Sequence, residues 1–198
     1  MTEPTAPLLN VVGPQVALGP LRRDLLPLYT RWLNDFAVTR TLAVGPAPQT
    51  LEAEARWYEG VAQQPDAVHF TIYEQATQRP IGLGSLQRID HRHGTAELGL
   101  LIGERACWGR GYGTEATRLL CDYGFTLLGL HNIWLAVYSV NTRAIRVYER
   151  AGFTLVGRRR EAWRLGGQTY DVLYMDCLST EFESPVLRRW LDEQAAGG

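Results

Sequence analysis

Three glycines at alternate positions mark a segment of the sequence where residue types and spacing point to a chemistry. Gly109, Gly111 and Gly113 follow an apolar run that ends at Ile102, and apolar residues recur at helical spacing from Ala116 onward. The pattern predicts a strand, a glycine turn and a helix. Glycine tolerates positive φ and close approach of a ligand to the backbone, while the first helical turn presents unpaired N–H groups at the positive end of its dipole. The segment therefore predicts a phosphate-binding turn.

Two nucleotide-binding motifs also place glycines before a helix, and neither fits this segment. A Walker P-loop requires Gly-Lys followed by Ser or Thr, which is missing here. The dinucleotide-binding fingerprint requires a third glycine three residues after Gly113, whereas Glu115 and Ala116 occupy the end of that stretch here. The remaining alternative is a turn that simply needs flexible residues. We favour pyrophosphate binding, because three glycines exceed what a tight turn requires.

The segment from Trp108 to Ala116 resembles the GCN5-related N-acetyltransferases (GNATs), in particular the branch similar to ribosomal-protein alanine N-acetyltransferases. The family signature has Gln or Arg, two residues, Gly, one residue, and Gly or Ala; the two matching glycines are Gly111 and Gly113. Trp108 stands where Gln or Arg is usual. Phosphate binding must therefore depend on backbone N–H groups, with the Arg110 side chain as a candidate helper.

Two later blocks carry the same resemblance, which covers about residues 16–178. One is Asn141 with the run from Tyr148 to Phe153, and the other is Gly157-Arg158 with the run from Gly167 to Asp171. The resemblance implies direct acetyl transfer from acetyl-CoA to a primary amine, in a ternary complex and without a metal. The implied coenzyme contacts are Leu100, Leu101, Ile102, Trp108, Arg110, Gly111, Tyr112, Gly113, Thr114 and Asn141.

Asn141 and Tyr148 are seven residues apart, so on a helix they lie on one side, about 10 Å apart. The resemblance implies that Asn141 holds the pantetheine arm and that Tyr148 protonates the leaving thiolate. The simpler interpretation of Asn141 is a helix N-cap. The simpler interpretation of Tyr148 is an aromatic core residue whose hydroxyl reaches water. We favour the catalytic role for Tyr148 because its spacing from Asn141 matches the family block.

Glu97 is the candidate base, because strand alternation points it away from the face of Leu98 and Leu100. A carboxylate there can accept a proton from an amine, although an ion pair across the sheet with a residue such as Arg88 is the competing interpretation. Asp171 matches an acidic position of the branch and is the candidate contact to the acceptor amine. A hairpin cap or a salt bridge explains Asp171 equally well.

Composition limits the remaining hypotheses. The 198 residues suffice for a single domain with a real core, and a net charge of −1 argues against a dedicated nucleic-acid or membrane-surface protein. The three cysteines are odd in number and lack metal or redox spacing, and His91 and His93 lack further ligands. The start of the sequence lacks a basic region followed by an apolar core. We therefore expect a cytoplasmic protein, with a homodimer left open.

The elements that position these residues follow from periodicity and turn signals. The pattern predicts strands over 16–21, 68–73, 81–89, 96–102, 133–137, 153–163 and 170–178, and helices over 24–34, 50–63, after the glycine turn, over 141–152 and over 184–194. This order is α+β, and the resemblance implies one mixed, mostly antiparallel twisted sheet flanked by helices. We expect a flexible tail over 1–14, a transferase domain over 15–182, and a terminal helix and tail over 183–198.

The acceptor amine is left open by the sequence. The resemblance favours the N-terminus of a ribosomal or other protein, while a small amine such as an aminoglycoside or polyamine is the alternative within the enzyme class. A module that binds acyl-CoA without turnover is the alternative outside it. Retention of Tyr148 and Glu97 favours an enzyme, because binding alone requires neither residue.

Overall fold

One eight-stranded sheet organises the part of the chain described by the computed structural model, residues 6–43, 47–61 and 63–196. The strands are β1 Val11–Val12, β2 Val16–Pro20, β3 Val68–Glu74, β4 Arg79–Asp90, β5 Thr95–Ile102, β6 Asn132–Tyr138, β7 Thr154–Leu165 and β8 Gln168–Leu178. Their order is β1-β2-β3-β4-β5-β6-β8-β7, and the β5–β6 pair is parallel while the other pairs are antiparallel. The expected mixed, mostly antiparallel α+β sheet is confirmed.

Helices cover both faces of the sheet. They are α1 Leu26–Leu33, α2 Phe36–Thr39, α3 Leu51–Val61, α4 Tyr112–Asp122, α5 Thr142–Ala151 and α6 Leu187–Ala196. Strand alternation sends successive β5 side chains to opposite faces. Leu100 and Ile102 join the main core with α4, whereas Leu101 packs with Tyr29 and Trp32 of α1.

The two parallel strands separate after a short paired segment. β5 and β6 are paired over Thr95–Glu97 and Asn132–Trp134. Beyond these residues β5 continues along β4 to Ile102, while β6 continues along β8 to Tyr138. The sheet therefore opens between its two central strands, next to the glycine turn that precedes α4.

The N-terminal segment is more ordered than expected. Val11 pairs with Leu18 and is 1% exposed, so β1 extends the sheet where we expected a flexible tail through residue 14. The Glu115 carboxylate in the first turn of α4 accepts hydrogen bonds from the backbone N–H groups of Gln15 and Val16, at 2.8 and 3.1 Å. These contacts fix the start of the domain against the helix that follows the glycine turn.

Two further helical features depart from the expected bounds. The helix expected over 24–34 begins as a 3-10 turn over Arg23–Leu25, and its α-helical part starts at Leu26. Within the expected loop over 34–47, α2 forms because the Asp35 side chain caps it through the N–H of Ala37, at 2.9 Å. This short helix brings the following residues, 41–43, to the opening in the sheet.

The terminal helix is anchored by a buried carboxylate. Asp122 is fully buried and accepts hydrogen bonds from the Ser184 hydroxyl, the Thr126 hydroxyl and the backbone N–H groups of Val186 and Leu187. A carboxylate at a helix N-terminus satisfies orphan N–H groups and complements the dipole. None of the helices in the described ranges combines the length and the apolar character that a membrane-spanning segment requires.

Candidate active site

A cleft of about 730 Å³ lies at the opening between β5 and β6. One wall is Glu97 to Ile102 of β5, and the other comes from Ala136 to Tyr138 of β6. The glycine turn, α5, residues 41–43 and parts of β7 and β8 complete the lining. The cleft therefore joins the predicted phosphate-binding turn to both candidate catalytic residues.

The glycine turn has the backbone that its sequence predicts. Gly109 and Gly111 have φ values of 77° and 86°, a left-handed region that disfavours other residues. Gly111 is the N-cap of α4, and Gly113 and Thr114 line the cleft with the first turn of that helix. The cleft thus receives the N-terminal end of a helix eleven residues long, an arrangement suited to an anion.

Glu74 on β3 supports this turn from the side away from the cleft. Its carboxylate accepts hydrogen bonds from the Tyr112 hydroxyl at 2.8 Å and the Thr77 hydroxyl at 2.6 Å, with Arg110 Nη1 at 3.7 Å. The hydrogen bonds from Thr77 and Tyr112 lower the pKa of Glu74. The Arg110 side chain is thus directed to Glu74, and Arg110 is not among the residues that line the cleft. The prediction that Arg110 contacts the coenzyme therefore applies to its backbone N–H group.

Trp108, which departs from the family signature, packs against Arg143, a residue that the sequence did not single out. The Arg143 guanidinium lies over the indole ring at 3.7 Å from its centroid, and the indole N–H donates to the Ile102 carbonyl at 2.8 Å. Partial burial, and secondarily the charge of Arg40, lower the pKa of Arg143, but a guanidinium stays ionised in proteins. A cation therefore stands beside the glycine turn after all, supplied by α5.

Arg143 belongs to a basic stripe on α5. Arg143, Arg146 and Arg150 all line the cleft and follow one another at helical spacing. This i, i+3, i+7 spacing is visible in the sequence and could have identified the stripe. Three guanidinium groups facing the same cleft as a helix N-terminus form a strongly anion-attracting surface.

Asn141 is the N-cap of α5 and Tyr148 lies on that helix, and both line the cleft. The Asn141 side chain caps the helix by accepting from the Ala144 N–H at 3.2 Å, and it donates to the Thr41 hydroxyl at 3.0 Å. Tyr148 is 8% exposed, and burial raises its pKa to about 12. Tyr148 therefore keeps its proton at neutral pH, as a donor must.

Glu97 lies in the cleft, and it also forms the ion pair that was the competing interpretation. Its Oε2 atom is 2.6 Å from Nη1 of Arg88. Arg88 has a φ of 51° within an irregularity of the β4–β5 ladder between Gln87 and Asp90. The Arg88 side chain is 71% exposed, so this pair faces water and is weakly held.

Asp171 is held in the β7–β8 hairpin. It pairs with Arg158, and Oδ1 accepts from the Glu161 N–H at 2.8 Å. These contacts, led by the Glu161 hydrogen bond, lower the pKa of Asp171. Asp171 is not among the residues that line the cleft, so the salt-bridge interpretation describes this geometry and a substrate contact remains a prediction only.

Comparison with known proteins decides the family. Residues 15–154 match the family described as Acetyltransferase (GNAT) domain. This chain is a GNAT acetyltransferase. The GNAT is similar to spermidine N(1)-acetyltransferase of Escherichia coli K12, at 29% identity over 81% of this chain and 84% of the relative. It is likewise 29% identical to an uncharacterized N-acetyltransferase, p20, of Bacillus licheniformis, over 77% of this chain and 86% of the relative.

A solved structure supports the same conclusion. The crystal structure of spermidine N-acetyltransferase from Vibrio cholerae, in complex with CoA and spermine, superposes with a TM-score of 0.79 at 26% identity, covering 85% of this GNAT and 98% of that chain. The protein is an N-acetyltransferase with acetyl-CoA as its co-substrate. The branch of ribosomal-protein alanine N-acetyltransferases is not confirmed, because the two relatives above that are named for a substrate are spermidine N-acetyltransferases. Across the residues that the structure describes, no cluster of three His, Cys, Asp or Glu side chains could hold a metal ion.

Proposed function

We propose that this GNAT acetylates the primary amine of a small molecule, with Glu97 receiving the proton of the amine and Tyr148 facing the leaving sulfur. The observation that carries the proposal is that both residues line one cleft, which also contains the glycine turn. Direct transfer needs the amine, the thioester and both proton-handling groups in one enclosed space. The cleft provides that space, so the acetyl group can pass directly from the thioester to the amine without a covalent acyl-enzyme.

The residues suit the coenzyme along the length of the cleft. The N-terminus of α4 and the stripe of Arg143, Arg146 and Arg150 supply N–H donors and positive charge for its phosphates. Beyond Glu97, β5 no longer pairs with β6, which frees one edge of the strand for hydrogen bonds to an amide-containing arm. The roles proposed for Leu100, Leu101, Ile102 and Asn141 follow from their place on these walls.

Transfer requires two proton movements that these side chains can handle. The C–N bond forms as the C–S bond breaks, so one proton must leave the amine nitrogen and the sulfur must be stabilised as a thiolate or a thiol. A free primary amine with a pKa of about 10.4 is neutral in only about one molecule in a few thousand at pH 7. Glu97 can accept that proton once its contact with Arg88 is shared or released. The Tyr148 hydroxyl can donate a hydrogen bond to the sulfur.

A cysteine nucleophile is not supported by its surroundings. Cys107 lines the cleft but is 2% exposed, and its sulfur accepts a contact from Arg79 Nη2 at 3.3 Å. A nucleophilic cysteine needs a neighbouring base oriented by a third group. This environment supports direct transfer from the thioester to the amine.

Relatives named for spermidine support a small acceptor more than a protein N-terminus.

The test uses the purified chain with acetyl-CoA and follows release of free thiol with two sets of acceptors: small primary amines, and peptides with free N-termini. We expect turnover with small amines, and Tyr148→Phe and Glu97→Gln should both slow it. Turnover of peptides alone would restore the protein N-terminus as the acceptor, and release of thiol with no amine would refute the transfer assignment.

A further inference from the structure

We infer that the acceptor carries an acidic group at the end remote from its reactive amine, bound by Arg159. The inference rests on the proposed function, because it takes the cleft as the place where a small amine is acetylated. It concerns the acceptor half of the cleft, which we define as Glu97 together with the part bordered by β6, β8 and β7.

The charges that line the cleft are unequal. Among the described residues they comprise one carboxylate, Glu97, and four guanidinium groups, those of Arg143, Arg146, Arg150 and Arg159. The three arginines of α5 line the cleft, Arg143 lies over Trp108 next to the glycine turn, and the proposed function assigns all three to the coenzyme's phosphates. The acceptor half therefore keeps one negative group, Glu97, and one positive group, Arg159. This pair matches a molecule with an ammonium at one end and an anion at the other.

The strand register places these two charges at opposite ends of one surface. Glu97 pairs with Trp134, whereas Arg159 pairs with Val172, which in turn pairs with Tyr138. Paired residues point to the same face of a sheet, and so do residues two and four positions apart. Four residues along β6 and three strand spacings across it separate the two Cα atoms by roughly 19 Å. When both side chains are turned toward each other along this surface, their reach brings the charged groups within the length of a small molecule.

The surface between the two charges is apolar and aromatic. Ala136, Tyr138, Val172 and Tyr174 line the cleft here. An acceptor body of methylene groups or a ring suits this floor, since burying polar groups without partners is unfavourable. Charged partners for the acceptor are therefore available only at the two ends of this surface, at Glu97 and Arg159.

The local structure of β7 leaves Arg159 available. Its neighbour Arg158 is engaged by Asp171, whereas no ion pair of Arg159 occurs among the described residues. The β7–β8 ladder is irregular between Arg159 and Trp163, and Asp171 holds this bulge through the Glu161 N–H. Trp163 stacks on Tyr138 with ring centroids 4.1 Å apart. The bulge is thus tied down on both sides, with Arg159 at the cleft.

A polyamine fits this arrangement poorly. Spermidine or spermine carries several ammonium groups, and the cleft lining among described residues offers one carboxylate, already shared with Arg88. A second ammonium would lie near Arg159, and like charges at that range repel. This chain and its spermidine-acetylating relatives would then share the reaction and differ in the acceptor.

The test compares three acceptors that differ only at the remote end: aminohexanoate, hexylamine and diaminohexane, with spermidine as a fourth. Thiol release is measured at saturating acetyl-CoA, and kcat/KM is compared at one pH and ionic strength. We expect aminohexanoate to exceed hexylamine by about tenfold, the contribution of one hydrogen-bonded charge, and diaminohexane to be the poorest of the three.

Charge reversal at one residue makes the comparison specific. Arg159→Glu should lower kcat/KM for aminohexanoate by at least about tenfold and raise it for diaminohexane. Arg160→Glu makes the same change in net charge at the next residue, outside the cleft lining, and should alter neither preference. Acetyl-CoA affinity, measured separately, should be unchanged in both variants.

The outcomes separate this inference from the proposed function. Turnover with spermidine or diaminohexane equal to or above that with aminohexanoate would overturn the acidic-acceptor inference while leaving acetyl transfer intact. An Arg159→Glu variant with unchanged preference would overturn the role of Arg159. Absence of thiol release with every amine would overturn the proposed function itself, and the inference with it.

Discussion

Removing one hydroxyl group from the cleft tests the proposed role of Tyr148. Tyr148→Phe keeps the ring, which lies among core residues 6.0 Å from Phe153, and deletes only the donor. Burial raises the pKa of Tyr148 to about 12. The substitution should therefore leave the fold and acetyl-CoA affinity nearly unchanged while lowering kcat.

The size of the loss follows from that pKa. A thiol like that of cysteine has a pKa of about 8.5, so complete proton transfer from a phenol of pKa about 12 is uphill by about 5 kcal/mol. The hydroxyl is thus better suited to stabilising the departing thiolate with a hydrogen bond than to ionising fully. A hydrogen bond to a charged group contributes about 1.5–3 kcal/mol. Its loss predicts a kcat lower by roughly 10- to 150-fold.

The assay is single-turnover thiol release at saturating acetyl-CoA and acceptor, with Tyr174→Phe as the matched control. Tyr174 also lines the cleft, but on the acceptor side. Because the Tyr148 phenol stays protonated well above neutral pH, the ratio of wild-type to mutant rates should be constant between about pH 7 and 9. Equal single-turnover rates for wild type and Tyr148→Phe would refute the role, and a ratio that shrinks as pH rises would show that the hydroxyl ionises in this range.

Four further substitutions test the remaining assignments. Gly111→Val forces a β-branched residue to a φ of 86° and should weaken acetyl-CoA binding by calorimetry by at least about tenfold; unchanged affinity would contradict the anion-binding turn. Arg143→Gln should raise the KM for acetyl-CoA about tenfold with kcat intact, whereas a selective loss of kcat would place Arg143 in the chemistry. Glu97→Gln should slow transfer more at about pH 7 than at about pH 9, and more for the more basic amine; a penalty independent of both would indicate positioning. Asp122→Ala should lower the free energy of unfolding by about 3 kcal/mol in urea, because it orphans a helix N-terminus, and full stability would refute the anchoring role.

Local signals explain why the coenzyme half was predictable from sequence. Three of its features depend only on residues within about two helical turns of one another. They are the positive φ at Gly111, the helix cap by Asn141 and the position of Tyr148 on its helix. In the acceptor half, strand alternation likewise placed Glu97 on the face opposite Leu98. Order of elements and these blocks were enough for the mixed sheet and for the family.

The directions taken by the charged and polar side chains around the cleft were decided by contacts between residues far apart in the chain. Arg143 lies over Trp108, Arg110 turns to Glu74, and Asn141 bonds to Thr41, across separations of 35 to 100 residues. Sequence supplied the residue types, but long side chains have several accessible partners.

The partner that each long side chain contacts depends on the packing of strands that meet only in the folded chain. For this protein the sequence determined the turn that receives an anion and the order of the sheet. The tertiary structure decided which charges enter the cleft, because only the opening between β5 and β6 and the bulge of β7 bring Glu97 and Arg159 to one surface.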